Sequence, residues 1–290
     1  MHHFAQLKDK WTNKHRELKH KVLTKHLSSV QWLHNSFPAK RHIAATAISA
    51  MMLLTPAASH LPTQSADIGQ PQIAQTTQMD KRRLVAIDLA STVPRQVRPL
   101  SSAEEKEIVS VLSDDLDMNL AAEMNGIRLN RNYGLIGGEQ HLARYPGDVI
   151  ANHGTNEEER RMFLPSGMAP GLGAWRYFAN SQSAMTQQDI EREKYYLAAP
   201  TFLAPGFNEN VSEYRDFFKY RKMLVVNPKT GSAVVAVIGD AGLGQSTGKH
   251  LGGSPEVMHY LDLGTGPRKG AVLYFFIDDP NDTIPLGPVR

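Results

Sequence analysis

The stretch Ala233-Val-Val-Ala-Val-Ile-Gly-Asp-Ala-Gly242 decides the fold. Its first six residues are apolar and mostly β-branched, which is typical of a buried β-strand. A second apolar run covers residues 223–226, and the turn formers Asn227-Pro-Lys-Thr-Gly231 separate the two runs. The pattern predicts a β-hairpin. Its second strand ends where the chain turns at Gly239 and leaves the carboxylate of Asp240 at the end of the strand.

The residues after this strand predict a loop, a short helix and a further strand. A glycine-rich loop runs to Gly253. Ser254-Pro-Glu256 then offers a capping hydroxyl, a proline at the first helical position and an acid in the first turn, so a helix is expected to begin there. A last apolar run at residues 271–277 predicts a strand that is buried on both faces.

This order of elements resembles the second half of the double-psi β-barrel of rare lipoprotein A-like proteins. It resembles expansins and the three-aspartate cell-wall domains more distantly. Gly239-Asp-Ala-Gly242 stands where these proteins carry an Asn-Asp-Arg-Gly-Pro-like turn, and Gly248-Lys-His-Leu-Gly-Gly-Ser254 stands at their Gly-Arg-x-Ile-Asp-Leu-Ser box. Upstream, Gly173-Ala-Trp-Arg-Tyr177 is similar to their opening strand, and Leu197-Ala-Ala-Pro200 to their Thr-Ala-Ala-His segment. The resemblance covers about residues 173–279.

The resemblance implies a mainly β C-terminal domain, a six-stranded double-psi β-barrel, over residues 171–290. Residues 101–170 are predicted as a preceding α-helical segment, because Ser101 and Glu104 open an amphipathic pattern that we expect to end at Asn125-Gly126. The chain is therefore predicted to be α+β. Residues 60–100 are rich in Gln, Thr, Ser and Pro and are predicted as a disordered linker, with one short strand within it at residues 84–89.

Residues 1–59 are predicted as a basic leader followed by a signal or anchor segment. Residues 43–58 carry no charge and are short for a membrane span, which suits the apolar region of a signal peptide. We therefore expect an extracytoplasmic protein of the cell envelope, either secreted or anchored by residues 43–58, with membrane contact through its N-terminal segment. The alternative is an intracellular interaction domain whose N-terminus is a partner helix.

The charge distribution argues against a nucleic-acid partner. Residues 1–42 carry nine Lys and Arg against Asp9 and Glu17, a net charge of +7. Subtracting this from the +3 of the whole chain leaves −4 on the other residues, so the globular part is mildly acidic.

The chain has no cysteine, which excludes disulfides and thiolate metal sites. No cofactor is expected.

The resemblance also implies which residues would carry chemistry. Relatives that cleave glycans place a carboxylic acid in a groove across the barrel. Asp240 is the catalytic candidate and Asp189 is a weaker one, although an Asp at such a turn equally often stabilises the loop. Two features depart from the family, since Gly252-Gly253 replaces the Asp of the box and Pro200 replaces the expected His. The candidate glycan-binding residues are Trp175, Tyr177, Thr247, Lys249 and His250.

These departures favour a barrel that binds peptidoglycan or a related cell-wall glycan and is non-catalytic or degenerate. The alternative is a glycan-cleaving enzyme of the lytic transglycosylase type, with Asp240 as acid and base. Such an enzyme needs a single carboxylate, because a hydroxyl of the sugar itself attacks.

One further segment is dense in functional residue types. Glu139, His141, Asp148 and His153 could be pictured as metal ligands. Their spacing matches no metal-binding motif, and residues two apart do not share a helical face. We therefore predict structural polar contacts or a partner-facing loop there, and no metal site.

Overall fold

The structure is a computed structural model that describes residues 70–243, 247–264 and 268–290. The leader and the export segment predicted for residues 1–59 lie outside these ranges. In the part of the chain that is described, no helix combines the length and the apolar character needed to cross a membrane.

The described residues form six α-helices and ten β-strands. The helices are α1 (Gln70–Thr92), α2 (Ser102–Leu116), α3 (Glu157–Phe163), α4 (Gln187–Lys194), α5 (Val211–Phe218) and α6 (Pro255–Tyr260). The strands are β1 (Leu120–Ala121), β2 (Glu123–Met124), β3 (Ile127–Arg128), β4 (Tyr133–Gly138), β5 (Tyr196–Ala198), β6 (Lys222–Val226), β7 (Ala233–Asp240), β8 (Leu251–Gly253), β9 (Lys269–Ile277) and β10 (Gly287–Pro288).

Six of these strands close into a barrel. The hydrogen-bonded order is β4, β9, β6, β7, β5 and β8, and β8 pairs with β4 again. The β4–β8 and β5–β7 pairs are parallel and the other four are antiparallel. The barrel has an internal symmetry in chain order. Replacing β4, β5 and β6 by β7, β8 and β9, and the reverse, gives the same set of neighbours with the same pairing directions. The predicted six-stranded barrel in an α+β chain is confirmed, and β1 and β10 add two strands to it.

The predicted hairpin is present as β6 and β7, and both of its faces are buried. Val226 pairs with Ala233 across the Asn227–Gly231 turn. Alternate residues of β7 point into the barrel, where all six strands contribute to one core. The inward residues of β7 are Val234, Ala236 and Ile238. Its outward residue Val235 packs against α1 and α2, which cover the outside of the barrel.

Helix α1 occupies the stretch that composition predicted as a linker containing a short strand. Val85 and Leu89 are fully buried in the cluster on the outside of the barrel. The low hydrophobicity of this stretch hid the helix, because tertiary burial of a few residues outweighs weak local preference. The start of α2 is as predicted, with a capping box between Ser101 and Glu104.

The end of α2 and the start of the barrel differ from the prediction. The helix ends at Leu116, and Asn125-Gly126 forms the turn between β2 and β3 with φ of 54° and 75°. The first barrel strand is β4, upstream of the predicted start at residue 171. The segment similar to an opening strand, around Trp175, is instead a tight turn with one bridge between Gly173 and Arg176. Glycines in β4 masked the strand pattern, and Gly134 leaves room for the side chain of His250, whose Cβ would be 2.8 Å from an added Cβ.

Candidate functional site at one edge of the barrel

Three chain segments meet at one edge of the barrel. Because β4 and β8 run parallel, their carboxyl ends lie at the same edge, and β5, antiparallel to β8, begins there. Residues 139–153 follow β4, Glu193 lies near the end of α4 just before β5, and α6 follows β8. The backbone N–H of Glu139 donates to the carbonyl of Gly253 at 2.8 Å, which ties two of these segments together.

A buried polar cluster lies at this edge, centred on the carboxylate of Glu193. Nδ1 of His141 is 3.1 Å from Glu193 Oε1, and Nδ1 of His153 is 3.1 Å from Oε2. The imidazole rings are tilted by 58° with centroids 4.9 Å apart. All three side chains are 1% exposed. The backbone N–H of Leu142 also donates to Glu193 Oε1, at 3.1 Å.

The other ring nitrogen of His153 contacts a second carboxylate. Its Nε2 is 3.0 Å from Oδ2 of Asp148, which also accepts hydrogen bonds from the backbone N–H and from Nε of Arg144. Burial alone would raise the pKa of Asp148, but the hydrogen bonds from Arg144 and the charge of His153 outweigh it and lower the pKa to about 2. Asp148 is therefore an ionised group that orients His153.

Opposing effects also set the pKa values of Glu193 and His141. Burial would raise the pKa of Glu193, but the hydrogen bonds from His141 and His153 outweigh it and lower the pKa to about 2. Burial would lower the pKa of His141, yet Glu193, aided by the more distant charge of Glu256, raises it overall. The centre of the cluster is thus a carboxylate that favours positive charge around it.

Glu256 borders the cluster and differs from the other acids. It is 2% exposed, and its Oε2 has no hydrogen-bond partner among the described residues. Burial, reinforced by the charge of Glu193, raises the pKa of Glu256 to about 7. This carboxyl group therefore holds a proton close to neutral pH, which is the property of a general acid in a shielded site.

Asp240, the predicted catalytic residue, lies at the end of β7 and is half-buried. Its Oδ1 accepts hydrogen bonds from the backbone N–H groups of Ala174 and Ala241, each at 2.8 Å. Trp175 lies beside it, with Nε1 donating to the carbonyl of Ile238 at 3.0 Å. The structure thus brings Asp240 and Trp175 together, in a turn that the carboxylate stabilises.

Asp189 and Tyr177 lie elsewhere. Asp189 is the third residue of α4 and forms a capping box with Thr186, so helix capping accounts for its carboxylate. Tyr177 is half-buried in the segment that follows Trp175.

The remaining predicted binding residues lie over β4. Nζ of Lys249 donates to Glu139 Oε1 at 3.0 Å, and the backbone N–H of Lys249 is 3.4 Å from Oγ1 of Thr247. Nδ1 of His250 accepts from the backbone N–H of Leu135 at 2.9 Å, which places the proton of the neutral ring on Nε2. Burial, with the charge of Arg131, lowers the pKa of His250 and favours this neutral form.

Sequence reasoning missed the cluster because its members come from separate segments. The segment that holds His141, Asp148 and His153 stands out in the sequence, but the spacing of these residues matches no local metal-binding motif. Glu193 completes the cluster from a polar helix whose pattern gives no sign of an inward-facing acid. Glu139, which the sequence grouped with them, pairs with Lys249 instead.

A separate open cleft of about 630 Å³ lies beside α4 and α5. Tyr220 is its aromatic residue, stacked on Phe178 with centroids 5.7 Å apart, and Arg192 lies 4.6 Å from the centre of its ring. Most of the other lining side chains are charged, and they include Glu191, Asp216, Lys219, Arg221, Lys222, Asp279 and Asp282.

Comparison with protein-family models, with curated proteins and with solved structures gives no match for this chain. The fold and the site therefore define its class. It is an α+β protein with a closed six-stranded β-barrel, a buried histidine–carboxylate cluster at one barrel edge and an open charged cleft.

Proposed function

We propose that this is an exported protein of the cell envelope whose barrel binds peptidoglycan or a related glycan without cleaving it. The resemblance to rare lipoprotein A-like barrels supports the compartment and the class of ligand. We infer the absence of cleavage from the contacts of Asp240, because its Oδ1 accepts hydrogen bonds from two backbone N–H groups.

A general acid must present a carboxyl oxygen to the glycosidic oxygen of the sugar. The oxygen of Asp240 that contacts the protein is committed to holding a turn, which fits a structural role. The other position where relatives carry an acid is Gly252, which has no side chain. The carboxylate of Glu139 occupies the space there, with Oε1 2.5 Å from the position of an added Cβ.

The cleft beside Tyr220 is the surface that we assign to the glycan. Its volume is within the range of about 300–1,000 Å³ that is usual for ligand sites. Phe178 and Arg192 already contact the ring of Tyr220, so the polar and charged side chains of the cleft are the groups that would bond to sugar hydroxyls, with Tyr220 as part of its wall. Peptidoglycan also carries carboxylates, with which Lys219 and Arg221 can pair.

A glycan-cleaving enzyme of the lytic transglycosylase type is the second candidate. Asp240 is the acid that the resemblance suggests. The raised pKa of Glu256 favours this function independently. Its protonated carboxyl group near neutral pH suits acid catalysis, although the side chain is buried.

The test is co-sedimentation of the full chain with purified peptidoglycan, followed by mass analysis of any soluble fragments. We expect binding, no anhydro-sugar or reducing-end products, and a clear loss of binding in Tyr220→Ala. The control is Phe202→Ala, which removes an exposed aromatic residue outside the cleft. Released anhydro-sugar products would establish the enzyme instead, and the absence of both binding and products would overturn both candidates.

A further inference from the structure

The donor atoms around Glu193 have the chemistry of a metal site. One nitrogen from His141, one from His153 and one oxygen from Glu193 all lie within 4.8 Å of one another. We propose that these three residues bind a divalent transition-metal ion of the zinc class. This site is separate from the cleft and does not depend on the glycan function.

The three donor atoms lie close enough together to converge on one ion, all within 4.8 Å of one another. Zinc is bound at about 2.0–2.2 Å by imidazole nitrogen and carboxylate oxygen, so two ligand atoms at a tetrahedral centre are roughly 3.3 Å apart. Nδ1 of His141 is 3.1 Å from Oε1 of Glu193 and Nδ1 of His153 is 3.1 Å from Oε2, so each imidazole lies at about this distance from one oxygen of the same carboxylate. Two imidazoles and one carboxylate form a set that zinc and the neighbouring divalent metals accept.

The two carboxylate contacts of His153 indicate a positive charge at this histidine. Both of its ring nitrogens face carboxylate oxygens, Nδ1 towards Glu193 and Nε2 towards Asp148. A neutral imidazole has only one N–H, so it can donate to only one of them. Its other nitrogen would direct a lone pair at a carboxylate unless a proton or a metal ion lies between them.

The contacts behind the three donors are those that position metal ligands. A histidine ligand usually donates its second N–H to a carboxylate, which orients the ring and increases its basicity. Oδ2 of Asp148 is placed to accept such a hydrogen bond from Nε2 of His153, and Arg144 donates to the same oxygen. Glu193 is oriented by the backbone N–H of Leu142.

The charges and an unpaired atom agree with a bound cation. Asp148 and Glu193 carry two negative charges against the single positive charge of Arg144, before the histidines are counted. Buried charge of this kind needs compensation. Beside the cluster, Glu256 Oε2 is buried without a hydrogen-bond partner in the part of the chain that is described, as found where an ion or its water completes a site.

The ion would connect two segments that are distant in the sequence. His141 and His153 belong to the loop after β4, whereas Glu193 belongs to α4. A shared ion therefore fastens the loop to the barrel edge, and its binding free energy adds to the stability of the fold.

The test is the metal content of the untagged full chain after dialysis against a competing chelator. We expect about one zinc ion per chain and a higher melting temperature with Zn²⁺ than after complete metal removal. Residues 1–42 hold seven further histidines, which are a second possible source of metal binding. Replacing all seven with alanine is expected to leave the retained metal unchanged.

Variants of the cluster separate this site from other binding. His153→Ala should abolish the retained metal, and Asp148→Asn should weaken affinity by about 10–100-fold, because it removes an orienting contact only. The matched control His259→Ala changes an exposed histidine and should retain the ion. If the wild type retains no metal and Zn²⁺ leaves its melting unchanged, the cluster is a proton-bridged network and the proposal fails. It also fails if the retained metal disappears with the seven N-terminal histidines.

Discussion

The backbone N–H of Ala174 donates a hydrogen bond of 2.8 Å to Oδ1 of Asp240. The two residues are 66 positions apart, so one carboxylate at the end of β7 fixes a turn from a distant part of the chain. The same oxygen accepts from Ala241. This relationship explains why an acid occurs at the end of an otherwise apolar strand without requiring a catalytic role.

Asp240→Ala should lower the free energy of unfolding by about 1–3 kcal/mol, because it leaves two N–H donors without their acceptor. Asp240→Asn retains an acceptor oxygen and should cost less. Urea unfolding measures both effects, and peptidoglycan binding should persist in each folded variant. Loss of glycan-cleavage products in Asp240→Asn at unchanged stability would instead assign the carboxylate to catalysis.

Gly231→Ala should destabilise the protein and loosen α1. Gly231 has φ of 72°, and an added Cβ would lie 1.8 Å from the carbonyl oxygen of Arg82 in that helix. Gly126→Ala is the matched control, because Gly126 has a similar φ of 75° but nothing within 4 Å of an added Cβ. The control should cost about 1 kcal/mol from backbone strain alone. Equal melting temperatures for the two variants would contradict the close packing of α1 on the hairpin turn.

Val235→Asp should unfold the domain or leave it without a cooperative transition. Val235 is 2% exposed between β7 and the helices that cover it, and an unpaired carboxylate buried there costs several kcal/mol. Val237→Asp should cost less, because Val237 is 2% exposed but lines the open cleft, where Arg221 and Lys222 can pair with the new carboxylate. Val211→Asp, at a position that is 44% exposed, is the control and should melt like the wild type. Thermal melts by circular dichroism distinguish these outcomes.

Glu256→Gln should stabilise the metal-free protein at high pH but not at low pH. The folded protein raises the pKa of Glu256 from 4.5 to about 7, so the folded state binds more protons than the unfolded state between these values. The contribution of Glu256 to the stability of the wild type is therefore most favourable below pH 4.5, and it is lost as the pH rises to about 7. The wild type and Glu256→Gln should differ little near pH 4.5 and by up to about 3 kcal/mol at pH 8. A difference that is constant with pH would show that Glu256 titrates normally.

Met52→Arg combined with Leu53→Arg should block export. Each arginine at the centre of an inserted apolar segment costs about 2.5–3.5 kcal/mol. Cell fractionation of the full chain with and without the two changes measures this. Delivery of the double variant to the envelope would refute the targeting role of residues 43–58 and, with it, the predicted compartment.

The sequence by itself determined the elements whose signals are local. The β6–β7 hairpin follows from two apolar runs around a turn, and the starts of α2 and α6 follow from capping residues that act within a single helical turn. The resemblance extended this local information to a six-stranded barrel, which the structure has. It did not identify the first barrel strand, because the glycines of β4 are explained only by the neighbours that lie over them.

Only the tertiary structure decided which residues meet. Helix α1 forms because the outer face of the barrel buries Val85 and Leu89, a gain that its own composition does not reveal. Asp240 was predicted from its position, but its partner Ala174 comes from a turn 66 residues away. Glu193 reaches His141 and His153 because β5, antiparallel to β8, begins at the barrel edge where the parallel strands β4 and β8 end. Local pattern reports hydrophobicity and backbone preference over a few residues, whereas a buried polar cluster depends on strand order, which long-range packing sets.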